Sequence, residues 1–149
     1  MIETSIPRPA SLNKGLLITV VLAAVGYLNS FFAQSSMKEV MLRQGLPPEA
    51  VAQSGGMGVG MLIFSLLITG ALLFYIAKGF NVARVIWTVL GVLGVLMSVF
   101  SIGLLFSVST FVGLLSVVGM VGNIIGIVFM WMRDSSQWFA QMKADRLAP

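Results

Sequence analysis

A run of 48 residues, from Val85 to Met132, contains no charged side chain and lies between Arg84 and Arg133. One transmembrane helix needs about 20 apolar residues to cross a hydrocarbon core about 30 Å thick. The run is therefore long enough for two crossings. Two further charge-free apolar runs precede it, near residues 15–37 and 50–77. The sequence predicts an all-α integral membrane protein, a four-helix bundle that forms a single domain over residues 1–149.

The predicted spans lie near residues 16–34, 57–77, 85–106 and 111–132. Each span covers about 28–33 Å at about 1.5 Å per residue, which suits a membrane crossing with modest tilt. The turn inside the long run is predicted at Ser107–Thr110, where three hydroxyl residues cluster. Charged residues make up 9% of the chain, whereas a soluble domain has about 25%. Composition thus favours the membrane class independently of the spans.

The distribution of lysine and arginine predicts the orientation of the chain. With both termini on one side, that side holds seven of the nine basic residues, and only Lys38 and Arg43 lie on the other. Because basic residues concentrate in cytoplasmic loops, both termini are predicted to be cytoplasmic. The predicted topology anchors at this boundary are Lys78, Arg84, Arg133 and Trp138.

Two connecting regions are predicted to be amphipathic. In the extracytoplasmic segment 35–55, the sequence predicts a short helix that Gly45 stops and a second turn that starts with Pro47-Pro48-Glu49. This segment is either a lid or partner-docking surface, or a helix lying at the membrane interface. After the fourth span a further helix is predicted, capped by Asp134 or Ser135. One face of it, at headgroup level, would carry Trp138, Phe139 and Met142.

Every predicted span carries small residues at intervals of three or four. In lipid, helices associate through close backbone contact at such positions. The stripes serve either packing inside the bundle or contact with a second copy or another protein. Asn123 lies near mid-span, so its amide needs a partner, either as a helix-registering hydrogen bond or in a permeation path. The residues predicted for packing or partner contact are Gly56, Gly60, Gly91, Gly94, Ser98, Gly119, Gly122, Asn123 and Gly126.

Several chemistries are disfavoured by residues that the sequence lacks. There is no cysteine and no histidine, and no acidic or basic residue lies inside a predicted span. Proton-coupled transport needs a titratable group at membrane depth, and acid–base catalysis needs paired titratable groups. The basic residues are scattered at span ends, which does not suit nucleic acid. We therefore expect no enzymatic activity, no catalytic residue, no metal, no cofactor and no nucleic-acid partner.

The loop from Lys78 to Arg84 (Lys-Gly-Phe-Asn-Val-Ala-Arg) and the motif Ser-x-x-Trp-Phe from Ser135 to Phe139 together resemble a large set of uncharacterised small four-span bacterial membrane proteins. Those proteins show a basic glycine turn, an aromatic-Ala-Arg step and a Trp-Phe pair after the fourth span. Val82 stands where an aromatic residue is common in the set. The resemblance covers spans two to four and implies a location in the bacterial cytoplasmic (inner) membrane. It implies no activity or ligand.

Two functions are compatible with these features. The first is an accessory, inhibitory or immunity-type protein that acts through helix–helix contacts with a larger membrane protein. The alternative is a homo-oligomeric channel or uncoupled transporter for a small solute. We expect a single copy to pack too tightly for a hydrated path, so the alternative requires oligomerisation. The path would then be lined by Thr19, Tyr27, Ser98, Ser101 and Asn123.

Overall fold

The computed structural model describes residues 6–148, except for the side chains of residues 33, 35–37, 40, 53–57, 104 and 108. The described chain is built from helices joined by short turns. The five helices are α1 (Ala10–Arg43), α2 (Pro48–Ala77), α3 (Asn81–Val108), α4 (Thr110–Trp131) and α5 (Arg133–Leu147).

Four of these helices are long and apolar enough to cross a membrane, over Ala10–Phe32, Gly58–Ala77, Asn81–Gly103 and Thr110–Trp131. The prediction of four helices with the length and composition of membrane spans is thereby confirmed. The outer surface of the bundle is also apolar: Leu17, Leu67 and Phe100 are 65%, 65% and 86% exposed. A soluble monomer rarely exposes such large continuous apolar areas, whereas lipid tails solvate them well.

The two turns at α1–α2 and α2–α3 have the same geometry. Gly45 and Gly79 adopt φ values of +80° and +82°. After α2, the Gly79 N–H donates to the Ile76 carbonyl (2.9 Å) and the Phe80 N–H to the Tyr75 carbonyl (3.0 Å). This is a Schellman motif, which satisfies the last carbonyls of a helix and needs a left-handed residue, best supplied by glycine. Glycine therefore ends both helices and reverses the chain.

The connection between α3 and α4 is a single extended residue. Ser109 has φ −164° and ψ 131°, and helix resumes at Thr110. The predicted turn at Ser107–Thr110 is in the right place but is shorter than expected. The result is an antiparallel α3–α4 hairpin.

The segment 35–55 differs from the prediction of a separate short helix. Helix α1 continues without a break to Arg43, and α2 begins at Pro48, the position after the turn at residues 44–47. No glycine or proline occurs between Gln34 and Gly45, so nothing interrupts the backbone hydrogen bonds of α1 there. Gly45 does end the helix and Pro48 does occupy the first turn of the next one, as the sequence predicts.

Helix α4 is the centre of the packing. It packs most extensively on α1 and next on α3, whereas α2 makes smaller contacts with α1 and α3. We call the end of the bundle that carries helix α5 the α5 end, and the opposite end the Gly45 end. The weaker packing of α2 leaves room in the middle of the bundle.

The residues after α4 form a buried cap at the α5 end. Helix α5 follows directly after Met132, which supplies no side-chain cap. The predicted capping residues contact α1 instead: the Ser11 Oγ donates to Asp134 (2.6 Å) and shares a hydrogen bond with the Ser135 Oγ (2.7 Å). The face predicted to lie at the headgroups is enclosed by protein, because α5 folds back over the ends of the other helices. The buried cluster, which we call the end cluster, comprises Leu12, Ile76, Ala83, Met130, Trp138, Phe139 and Met142.

Candidate functional site

The closest helix contact joins α1 and α4 through three glycines. A Cβ atom on Gly122 would lie 2.1 Å from Leu22, and one on Gly126 would lie 2.8 Å from the Thr19 Oγ1. A Cβ on Gly15 would lie 3.1 Å from the Gly126 carbonyl oxygen. Gly122 and Gly126 were among the predicted packing residues, whereas Gly15 was not. Its spacing to Thr19, four residues on, is the small-xxx-small signal that could have identified it.

A second close contact joins α3 and α4 at mid-span. The Asn123 Nδ2 donates to the Gly91 carbonyl oxygen at 3.3 Å. A Cβ on Gly91 would lie 2.9 Å from the Ile127 side chain. Gly91 and Asn123, both singled out in the sequence, are thus brought together within one chain, in the helix-registering arrangement.

The other predicted packing glycines have no close neighbours. Nothing lies within 4 Å of a Cβ placed on Gly60, Gly94 or Gly119. The Ser98 hydroxyl donates to the Gly94 carbonyl of its own helix at 2.8 Å. The side-chain surroundings of Gly56 lie outside the described part of the structure. Of these positions, Gly94, Ser98 and Gly119 border open space between the helices and do not bring two backbones together.

That space is a partly open cavity of about 1000 Å³ between the four spanning helices, all of which line it. Gly26, Gly94 and Gly119 face it from α1, α3 and α4, and none of them has an atom within 4 Å of the Cβ position. Along α2 the lining runs from Gly58 to Leu72, which corresponds to about 21 Å at about 1.5 Å per residue. The cavity is therefore long, and it follows the bundle axis.

The lining is mostly apolar, with neutral hydrogen-bonding groups at separate points. Among the described residues, no acidic or basic side chain faces the cavity. The largest polar group is a hydroxyl cluster between α1 and α2. In it, the Tyr27 Oη and Thr69 Oγ1 lie 3.0 Å apart, and the Ser65 Oγ lies 3.3 Å from the Tyr27 Oη. The Asn123 side chain and the Ser98 hydroxyl add neutral polar groups on the opposite helices.

The cavity shows that the helices of a single copy pack less tightly than expected. Four of the five residues predicted to line a path in an oligomer line the cavity of one chain: Thr19, Tyr27, Ser98 and Asn123. Ser101 does not, since its exposed hydroxyl bonds to the Met97 carbonyl of its own helix. The expectation failed because small residues were taken to imply contact, whereas here several of them face empty volume.

The end cluster borders the cavity at the α5 end. Leu72 and Trp87 line the cavity and also pack against the end cluster. Arg84, only 4% exposed, lies nearby, with its guanidinium carbon 4.0 Å from the Trp131 ring centre and 4.5 Å from that of Phe139. Its Nη1 donates to the Met130 carbonyl (3.2 Å) and to the Ser136 Oγ (3.3 Å). Arg84 thereby ties α3 to α4 and α5 with neutral partners.

The predicted topology anchors fall into two environments. Lys78 and Arg133 are exposed. Arg84 and Trp138 are buried, and the Trp138 Nε1 donates to the Ile6 carbonyl at 3.4 Å. The exposed pair has the accessibility that an anchor at the headgroups needs, whereas the buried pair contributes to packing.

Asn29 is a further polar residue that is buried between α1 and α4. It is 8% exposed, and its Nδ2 donates to the Val112 carbonyl (3.3 Å) and the Ser116 Oγ (3.1 Å) of α4. Helix α1 extends well beyond Asn29, so this residue lies inside the bundle and not at its rim.

Among the described residues, no group of three or more histidine, cysteine, aspartate or glutamate side chains is placed to hold a metal ion. Comparison with protein-family models, with curated proteins and with solved structures finds no match for the chain. The cavity and the surfaces around it are therefore the basis on which a function can be argued.

Proposed function

We propose that this protein binds a neutral small molecule in its central cavity and acts as an uncoupled transporter for it within the membrane. The observation that carries this proposal is a cavity of about 1000 Å³ that all four spanning helices line. Ligand pockets in proteins are commonly about 300–1,000 Å³, mostly apolar, with a few polar groups that orient the ligand. The cavity has this size and this character.

The charge of the lining supports a neutral ligand. Burial of an unpaired ion in an apolar site costs several kcal/mol or more, and the described lining offers no acidic or basic partner. Coupling to protons or to a membrane potential needs charges at membrane depth. An uncoupled mechanism is the one that needs no such group.

Native mass spectrometry of the protein extracted gently from its own membrane tests this proposal, with Gly94→Leu as the variant that fills the cavity. Nothing lies within 4 Å of the Gly94 Cβ position, and Gly94 lines the cavity, so a leucine side chain there starts into open space. Gly103→Leu is the matched control, since Gly103 belongs to the same helix and has equal space, but does not line the cavity.

A bound small molecule on the wild type and on Gly103→Leu, and its loss from Gly94→Leu, is the expected result. Its mass would also identify the ligand. Absence of any small-molecule adduct from the wild type would overturn the proposal. Equal occupancy of all three proteins would overturn the assignment to this cavity.

We also propose a second function, contact with a membrane-protein partner in an accessory or inhibitory role. It is favoured by Gly60, which has nothing within 4 Å of its Cβ position and does not line the cavity. The other described packing glycines either contact a helix of the same chain or face the cavity. In the same spectra, a stoichiometric second protein that Gly60→Leu removes and Gly94→Leu retains would support this function, since Gly94 faces the cavity. A wild type without a second protein would refute it.

A further inference from the structure

Within the proposed cavity-binding function, we infer that the hydroxyl cluster of Tyr27, Ser65 and Thr69 is a recognition site for a long-chain neutral lipophile that carries a hydrogen-bond acceptor such as an ester or ketone oxygen. The three side chains come from two helices, α1 and α2, and all three line the cavity. This inference rests on the proposed function and specifies the ligand class.

The number of hydroxyl hydrogens in the cluster exceeds the number of its internal bonds. Each hydroxyl has one hydrogen to donate and two lone pairs. The Ser65 hydrogen is used toward the Leu62 carbonyl (3.0 Å) or the Tyr27 Oη (3.3 Å). One more hydrogen joins Tyr27 and Thr69 across 3.0 Å. When Ser65 donates to the Tyr27 Oη, one hydrogen of the Tyr27–Thr69 pair has no acceptor among the contacts that the structure describes.

An unused hydroxyl hydrogen in an apolar environment favours an acceptor from a ligand. A buried donor that has lost its water and gained no partner destabilises the structure. A carbonyl or ester oxygen can accept this hydrogen without bringing a charge into the cavity. A carboxylate could accept it too, but would bury an unpaired negative charge, which is far more costly.

The shape of the cavity indicates the rest of the ligand. The lining around the cluster is apolar and includes Phe64, Ile68 and Leu90, and along α2 the cavity extends over about 21 Å at about 1.5 Å per residue. A long hydrocarbon chain matches this length and lining. A molecule of this kind also partitions into the bilayer, from which it can reach the bundle.

A single reactive cysteine can report occupancy of the cavity, because the chain has no cysteine of its own. We choose Ser98→Cys, since Ser98 lines the cavity from α3 and lies outside the hydroxyl cluster. The rate of its modification by N-ethylmaleimide, a small neutral thiol reagent, is measured on the full chain in lipid nanodiscs. Methyl palmitate, hexadecane and palmitate are then added as protecting probes.

Methyl palmitate should slow the modification at lower concentrations than hexadecane, and palmitate should protect least. Thr69→Val removes one hydroxyl and nearly preserves side-chain shape. It should raise the half-protecting concentration of methyl palmitate by about three- to tenfold, the equivalent of one neutral hydrogen bond, and leave that of hexadecane unchanged. Thr69→Ser, which keeps the hydroxyl, should restore ester protection. The matched control is Thr110→Val, at an exposed residue outside the cavity.

A purely structural role for Thr69 would change protection by ester and alkane equally, because it would alter the cavity and not the recognition of an oxygen. Equal protection of the wild type by methyl palmitate and hexadecane would overturn the inference and leave cavity binding standing. Absence of protection by either probe would also overturn it, and the native spectra would decide the proposed function separately. If Thr69→Val does not fold, Tyr27→Phe provides the same comparison from α1.

Discussion

Replacement of Gly15 by alanine should destabilise the bundle, whereas the same change at Gly26, on the same helix, should not. A Cβ on Gly15 would lie 3.1 Å from the Gly126 carbonyl oxygen, 3.1 Å from the Phe129 Cβ and 3.2 Å from the Met130 Cγ. Only the Met130 atom can move by a rotamer change. The other two are fixed to the backbone of α4, so the backbones of α1 and α4 must shift apart by a few tenths of an ångström to admit the methyl group.

The expected magnitude follows from a difference between the two variants. A glycine-to-alanine change in a helix gains about 0.5–1 kcal/mol from backbone entropy, and this gain is common to both positions. Overpacking of a close contact costs about 1–3 kcal/mol, and only Gly15 incurs this cost, since nothing lies within 4 Å of the Gly26 Cβ position. Gly15→Ala should therefore be about 1–3 kcal/mol less stable than Gly26→Ala.

The assay is reversible unfolding in mixed micelles at increasing fractions of sodium dodecyl sulfate, followed by tryptophan fluorescence. Gly26→Ala is the reference, so any general effect of alanine on α1 cancels. If Gly15→Ala proved as stable as Gly26→Ala, the close packing of α1 on α4 would be refuted as a source of stability.

Two further predictions concern helix α5. Arg84→Lys should lower the stability of α5 packing by about 2 kcal/mol, because an ammonium group cannot stack on two rings and keep both hydrogen bonds. Faster amide hydrogen exchange in α5 would show this loss, and Arg133→Lys, at an exposed residue, is the control. Unchanged exchange would contradict the prediction. The Ser11 hydroxyl holds the pKa of Asp134 below its ordinary value through a hydrogen bond. That contribution to stability is complete above the unfolded pKa of about 3.9 and is lost as the pH falls through the lower folded value. Ser11→Ala should therefore shift acid unfolding of α5 to higher pH, and an unshifted midpoint of Trp138 fluorescence would count against the contact.

Much of the architecture could be predicted from local sequence. Hydropathy over about 20 residues decides whether a helix can span a bilayer. Length and composition are properties of the segment itself, so they can be read without knowing the fold. Local sequence also predicts where α1 and α2 end, because Gly45 and Gly79 supply the left-handed residue that a Schellman motif needs. The continuation of α1 to Arg43 was missed, because the polar residues after Gln34 were taken to end the helix, whereas they end only its apolar segment.

The glycines that bring helices into close contact could be predicted only in part. Gly91, Gly122 and Gly126 do meet neighbouring helices, whereas Gly94 and Gly119, the same residue type at the same kind of spacing, face a cavity. A glycine removes its own side chain, but the position of the neighbouring helix decides whether the resulting gap is filled.

The sequence by itself determined that four helices can span a membrane, where the chain turns, and that no acidic or basic group lies within the predicted spans. Only the tertiary structure decided that the small residues divide between contact and cavity, and that Trp138 lies within the end cluster. The physical reason is that helix formation and lipid solubility depend on neighbours along the chain. The burial of a side chain or the presence of a cavity depends on which residues α4, α5 and the weakly packed α2 bring together from distant positions in the sequence.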